Sequence, residues 1–132
     1  MLTDPTGMAD PNYRGSIRLV TAVVHQRLNA YGRDNSKLGT VEQFVVDMFS
    51  GHTAYAVLSF GGFLGLGQKY HPIPFQYLRV STDGAGYILD VDKVLIDGSP
   101  GYRRDDAPVF DQAYGERITS YYAGTGAAAT PA

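Results

Sequence analysis

Apolar positions crowd into the middle of the chain. Val41, Phe44, Val45 and Val46 fall in one run, with Glu42 and Gln43 between them. Successive strand residues alternate faces, so a strict period of two sends Val41 and Phe44 to opposite sides. A β-bulge at Glu42 or Gln43 keeps both inside; a strand buried on both faces is the alternative reading. Phe49 to His52 reads as a hairpin loop, with Gly51 free to take positive φ. Thr53 to Phe60 then alternates well. Ala54, Ala56, Leu58 and Phe60 share one face; Thr53, Tyr55, Val57 and Ser59 share the other. Small alanines suit a tightly curved interior. Tyr55 and Val57 then need cover from a helix or a second subunit.

The flanking pattern continues in short units. Ile17 to Val20 opens the ordered part, and Val23, Val24, Leu28 and Tyr31 predict a first strand. Arg33 to Ser36 is a turn of residues that tolerate the left-handed region or bond their own backbone. Gly61 to Gly67 holds four glycines and presents Phe63, Leu64 and Leu66. That density excludes a stable helix or central strand. Lys69 to Ile73 is a short strand that Pro72 and Pro74 confine to an edge or end at Ile73. Pro74 to Tyr77 turns into Leu78–Val80, Ser81 to Gly86 is a second hairpin loop, and Tyr87, Leu89 and Val91 alternate as a last strand. Asp92 is placed to cap a short helical turn with Val94 and Leu95, which Asp97 to Gly101 breaks. The stretch up to Val109 reads as irregular.

Phe110, Tyr114, Ile118 and Tyr122 recur every four residues and predict a helix from Asp111, as N-cap, to Tyr122, with Gly124 at C′. Gly115 inside it costs about 1 kcal/mol relative to alanine. The helix therefore depends on docking its stripe, either on its own barrel over Tyr55 and Val57 or on a partner. Residues 1–15 read as a mobile leader and 125–132 as a disordered tail. The domain lies at 16–98, with a connection and helix at 99–124.

Composition narrows the class. The chain of 132 residues is sized for one domain; 44% apolar and 18% charged residues fit a globular protein. The 16 glycines and 10 tyrosines suit turn-rich β structure. There is no cysteine, which removes disulfide and thiolate chemistry. A net charge of −2 and the mixed cluster Arg103–Asp106 argue against a nucleic-acid partner. No apolar run reaches the ~18 residues of a membrane span, and the start lacks a signal-peptide pattern. The expectation is a cytoplasmic protein without a membrane anchor.

The carrying residues of a family resemblance are Gly39–Glu42, Val45–Asp47, Ala54–Gly65, Ile73–Phe75, Tyr87–Lys93 and Leu95, with AYAVLSFGGFLGLG the most specific run. Over residues 17 to 98 the chain resembles the PRC-barrel family, named for the cytoplasmic domain of the photosynthetic reaction centre H subunit. The resemblance implies a mostly β fold: a small, strongly bent barrel of five to six strands, here followed by a C-terminal helix. It carries no shared catalytic motif. His71 departs from the small or apolar residue usual in relatives, and Phe75 stands where tryptophan is frequent.

Chemistry is sparse. His25, His52 and His71 lack metal-ligand spacing. Ser59 lacks the glycine two residues before it that a nucleophile elbow needs, and Asp83, Asp90 and Asp92 do not follow a calcium-loop pattern. No cofactor, metal site or catalytic residue is expected. Tyr55, Phe60, Phe63, Leu64, Leu66, Tyr70, Phe75 and Tyr77 exceed what a small barrel buries, which points to a non-enzymatic interaction module that self-associates, a dimer first of all, or meets another protein. Glu42, Asp47, His52 and His71 are candidates for titration in a proton- or ligand-responsive regulator tied to electron transfer or stress. Contact with the assembling ribosome is a third reading, by analogy with relatives.

Overall fold

The computed structural model describes residues 19–60 and 68–124; of Val20 and residues 23–26 it describes the backbone alone. The expected leader, the Gly61–Gly67 loop and the tail lie outside these residues. The strands are β1 (Leu19–Tyr31), β2 (Lys37–Asp47), β3 (Thr53–Phe60), β4 (Lys69–Pro74), β5 (Leu78–Val80), β6 (Gly86–Leu89) and β7 (Tyr102–Arg103). The helices are α1 (Lys93–Asp97) and α2 (Gln112–Ala123). The strands form one curled half-barrel sheet in the order β5-β6-β1-β2-β3-β4-β7. Six of the seven match predicted segments. The additional one, β7, spans only two residues and falls in the stretch read as irregular.

Of the two readings of the β2 pattern, the structure shows the bulge. Val41 faces Leu58 and Gln43 faces Val57, so Glu42 is the extra residue. Phe44 faces Ala56. Val41 and Phe44 therefore lie on the Ala56–Leu58 side, which a regular strand forbids. A second, larger irregularity separates Val23 from Leu28 in β1. Such breaks bend the two long strands, β1 and β2, and let the sheet curl. The turns also follow their chemistry: Asn35 adopts φ 67° and Gly51 φ 77°.

β3 is buried on both faces from Ala56 to Ser59. One side is core, with Val41, Leu58, Ile73 and Leu89 fully enclosed. Tyr55, on the other side, is covered by α2 in the same chain: its ring lies 5.9 Å from Phe110, and its hydroxyl bonds Thr119. A Cβ at Gly115 would stand 2.8 Å from the Tyr55 oxygen, so glycine is what lets the helix approach. Asp111 Oδ1 accepts from Tyr114 N at 2.9 Å as the N-cap, and Tyr114, Ile118 and Tyr122 are buried as the four-residue spacing predicts. Gly124 ends the helix at φ −83°, in the right-handed rather than the expected left-handed region. Asp92 precedes α1, but its side chain makes no cap hydrogen bond; the turn is held by Leu95 N donating to the Asp92 carbonyl at 3.0 Å.

The sheet treats its edges differently. β4 pairs with β3 from Lys69 to Pro74, but with β7 only through Lys69 and Tyr70. Pro72 and Pro74 have the same parity, so their missing donors face the same way. Because the β3–β4 ladder runs through both, that way is outward, and further pairing there is blocked. β5 is three residues long. β1 differs: it pairs with β2 along its length and with β6 only through Asn29–Tyr31. Its outer edge from Leu19 to Leu28 has no strand partner among the described residues.

Candidate functional site

Three places carry polar or aromatic chemistry. The first is the outer edge of β1 with the hairpin beside it. Leu19–Val23 pairs residue for residue with Asp47–Gln43, a regular five-residue run. Thr21 and Ala22 are exposed. At its end, the β2–β3 hairpin exposes Met48 and Phe49, at 54% and 47%. Asp47 Oδ1 accepts from Phe49 N at 2.9 Å, which folds the hairpin so that these apolar residues form its tip.

The second is a cavity of about 530 Å³ beside β1, lined among others by Thr21, Arg27, Glu42, Tyr70, Tyr102 and Arg104. Ser59 Oγ donates to Glu42 Oε2 at 2.6 Å, and Arg27 Nε stands 2.9 Å from Glu42 Oε1. The bulge is what turns Glu42 to this side. Tyr70, Tyr102, Phe110 and Tyr114 form a run of edge-on rings, with centroids 5.9, 6.3 and 5.2 Å apart in succession. Burial pushes the Tyr102 and Tyr114 hydroxyls up to about 12. These rings fasten β7 and the start of α2 to the sheet.

The third is His71, only 2% exposed. Its Nδ1 lies 2.9 Å from Ser99 Oγ, while Ser99 Oγ donates to the Ile96 carbonyl at 2.6 Å. A hydroxyl has one proton, so Nδ1 must carry the N–H of the neutral ring and Nε2 the lone pair. Among the described residues Nε2 makes no hydrogen bond of good geometry, and the Ser99 and Pro100 backbone lies close to the ring. The ring lies 4.7 Å from Phe60. Burial chiefly lowers the His71 pKa; Asp97 opposes this and Lys69 adds to it. The hollow around it holds about 640 Å³ and is lined by Lys69, Asp97, Ser99, Arg117 and Tyr121, among others.

The predicted site residues divide accordingly. Tyr77 is corrected: at 8% exposure it belongs to the core, its ring 5.7 Å from Tyr122, because the turn after β4 points inward. Tyr55, Phe60, Tyr70 and Phe75 are half-buried against rings of the same chain, Phe75 against Phe44 at 5.8 Å. Phe63, Leu64 and Leu66 lie outside the described residues. Of the titration candidates, Asp47 and His52 share one hairpin, and His52 is exposed. Glu42 is bound to Ser59, and Ser59 faces Tyr70 while Leu58 faces His71. Glu42 and His71 therefore sit on opposite sides of the sheet, and the four form no single cluster. The free edge of β1, Ser99, Lys69 and Arg117 were not singled out from the sequence. Prolines marked the β4 edge in the sequence, whereas the edge of β1 is set by topology and carries no such mark.

A short, bulged sheet that curls around one core and is closed by a docked helix defines a small β-barrel-type module. A family model for the PRC-barrel domain matches residues 26–96, more than half of the chain, and the chain belongs to that family. Comparison with curated proteins gave no match. Among the described residues no helix is long and apolar enough to cross a membrane.

Proposed function

We propose that this PRC-barrel protein is a non-enzymatic interaction module that self-associates by strand addition at the free edge of β1. The carrying observation is that edge: Leu19–Val23 is regular, free of proline and charge, and open on its outer side among the described residues. Unpaired N–H and C=O groups in a row are a template for another strand. The edges at β4 and β5 are blunted by prolines or by length; this one is not. Exposed Met48 and Phe49 add apolar surface at its end. A second copy is the simplest source of a matching strand, because two antiparallel β1 edges related by a two-fold axis satisfy each other.

The non-enzymatic part is supported by the family assignment, and the one buried Ser–His pair described, Ser99–His71, is not arranged as a nucleophile and its base. Ser99 already gives its proton to the Ile96 carbonyl, so the imidazole is a donor to the serine and not its base. The test is light scattering across a concentration series. The wild type should form a dimer that Thr21→Lys/Ala22→Lys converts to monomer with unchanged circular dichroism, while Val80→Lys on β5 leaves the dimer intact. A wild type that stays monomeric at high concentration, or a lysine variant that dimerises as well, overturns it.

A further inference from the structure

We propose that the groove between β1 and the segment linking β7 to α2 takes an extended, acidic, proline-containing peptide, and that its occupant is this chain's own leader around Asp10 and Pro11. The groove is the cavity of about 530 Å³ beside β1. It is distinct from the free edge of that strand. Leu19 and Thr21 line the groove from one face of the sheet, whereas the edge is the row of backbone groups in its plane. Both are open to occupation at once.

The walls fit such a segment. Leu19 and Val45 form one side; Tyr70, Tyr102, Pro108 and Phe110 form the other. Grooves lined by aromatic rings are the surfaces on which extended proline-containing peptides dock. Proline suits a half-apolar groove because it has no N–H to leave unpaired there. It also holds its own φ and keeps the preceding residue extended, so less freedom is lost on docking. Polarity comes from two guanidiniums. Arg27 is taken by Glu42 at 2.9 Å. Arg104 lines the same groove and makes no ion pair among the described residues. An exposed arginine makes no site by itself; here the rings supply the contact area, and Arg104 favours an acid beside the docked proline.

The leader has the matching chemistry. Residues 1–13 contain Asp4 and Asp10 but no lysine or arginine, and a proline follows each aspartate, as Pro5 and Pro11. It also has the position. Leu19, the first residue of β1, lines the groove, so the leader arrives at its mouth. Gly15 lets the chain reverse there. From Arg14 back to Asp10 an extended chain covers roughly 15 Å at ~3.3 Å per residue, enough to pass the ring wall. Asp10 then pairs with Arg104, and Pro11 lies against the rings. Asp4 falls beyond this span. A tether this short holds the segment at an effective concentration of about a millimolar or more, so a weak contact suffices. That advantage favours the chain's own leader over any free peptide of the same kind.

The chain has no cysteine, so a nitroxide on Met8→Cys labels the leader alone. In the full-length labelled protein, the amide NMR signals of Gln43, Tyr70, Tyr102 and Phe110 should lose most of their intensity. Those of Arg79 and Val80 on β5, at the other end of the sheet, should keep theirs. Asp10→Arg should restore the groove signals, and Arg104→Asp added to Asp10→Arg should quench them again, a rescue that tethering alone does not give. Ala22→Lys faces Phe44, on the side of the sheet away from Thr21 and the groove. The quenching should persist in that variant, which separates this contact from pairing of β1 edges. There, nitroxide-bearing chains mixed with isotope-labelled chains that carry no nitroxide should leave the groove signals intact. Equal losses at the groove and on β5, an Asp10→Arg pattern like that of the unsubstituted leader, or groove quenching only between mixed chains overturns the proposal.

Discussion

Ser59 donates to Glu42 across the β2 bulge at 2.6 Å, and this bond ties the irregularity to the next strand. Ser59 is 2% exposed, whereas the Arg27 side chain on the other carboxylate oxygen is 63% exposed. The buried bond should therefore outweigh the exposed ion pair. Glu42→Ala strands a buried hydroxyl and should cost about 1–3 kcal/mol. Ser59→Ala should cost about 1.5–3 kcal/mol as a lost bond to a charged group. Arg27→Ala should cost about 1 kcal/mol or less. Urea unfolding ranks them, and an Arg27→Ala loss as large as that of Glu42→Ala would refute the ordering.

His71 makes stability depend on pH in a defined direction. Its folded pKa is depressed below the ordinary value of 6.5, chiefly by burial. The unfolded chain thus binds more protons as the solution is acidified, and unfolding is favoured. The His71 contribution is complete above the unfolded pKa and declines as pH falls through 6.5 toward the lower folded value. Unfolding free energy should fall as pH drops through the unfolded value of 6.5, and His71→Gln should flatten part of that slope. A wild-type profile identical to that of the variant would show that the imidazole is neutral in both states or charged in both.

The opposite sign holds for the tyrosines. The Tyr102 and Tyr114 hydroxyls are pushed up to about 12 by burial. The unfolded chain loses these protons first, so their stabilising effect is present below pH 10 and is lost as pH rises toward 12. Ultraviolet titration should show a late group of tyrosines that ionises together with loss of the fold. Tyr102→Phe and Tyr114→Phe should each shrink that group. Independent ionisation of all ten tyrosines near the ordinary value would contradict the ring packing.

The fold was legible where a residue pattern had few physical solutions. Val41 and Phe44, three apart in a strand, left a bulge or a strand buried on both faces, and the bulge at Glu42 is the one found. The spacing of Tyr114, Ile118 and Tyr122 required a docked helix, and Tyr55 receives it. The site was less legible because it depends on register. Nothing local to Ser99 places it on His71, 28 residues away. Tyr77 looked like surplus aromatic surface because its inward direction comes from a three-residue helical turn. Tyr55, Phe60, Tyr70 and Phe75 find partial cover within the chain, which moves the weight of the interaction reading from rings to backbone.

Gly115 offers a test of how closely α2 must approach the sheet. In an exposed helix, alanine in place of glycine stabilises by about 1 kcal/mol. Here the added Cβ would meet the Tyr55 oxygen at 2.8 Å. That oxygen is the tip of a half-buried side chain already bonded to Thr119, so displacing it costs a hydrogen bond of about 1 kcal/mol and some packing. The two effects oppose each other, and Gly115→Ala alone should be neutral to destabilising. Tyr55→Phe removes the obstructing atom, so Gly115→Ala in that background should recover the helix gain of about 1 kcal/mol. The coupling from the double-mutant cycle should be favourable and of similar size, as for residues in direct contact. Additive effects would mean that the helix stands farther from Tyr55, and that the stripe of Tyr114, Ile118 and Tyr122 docks without the close approach that glycine permits.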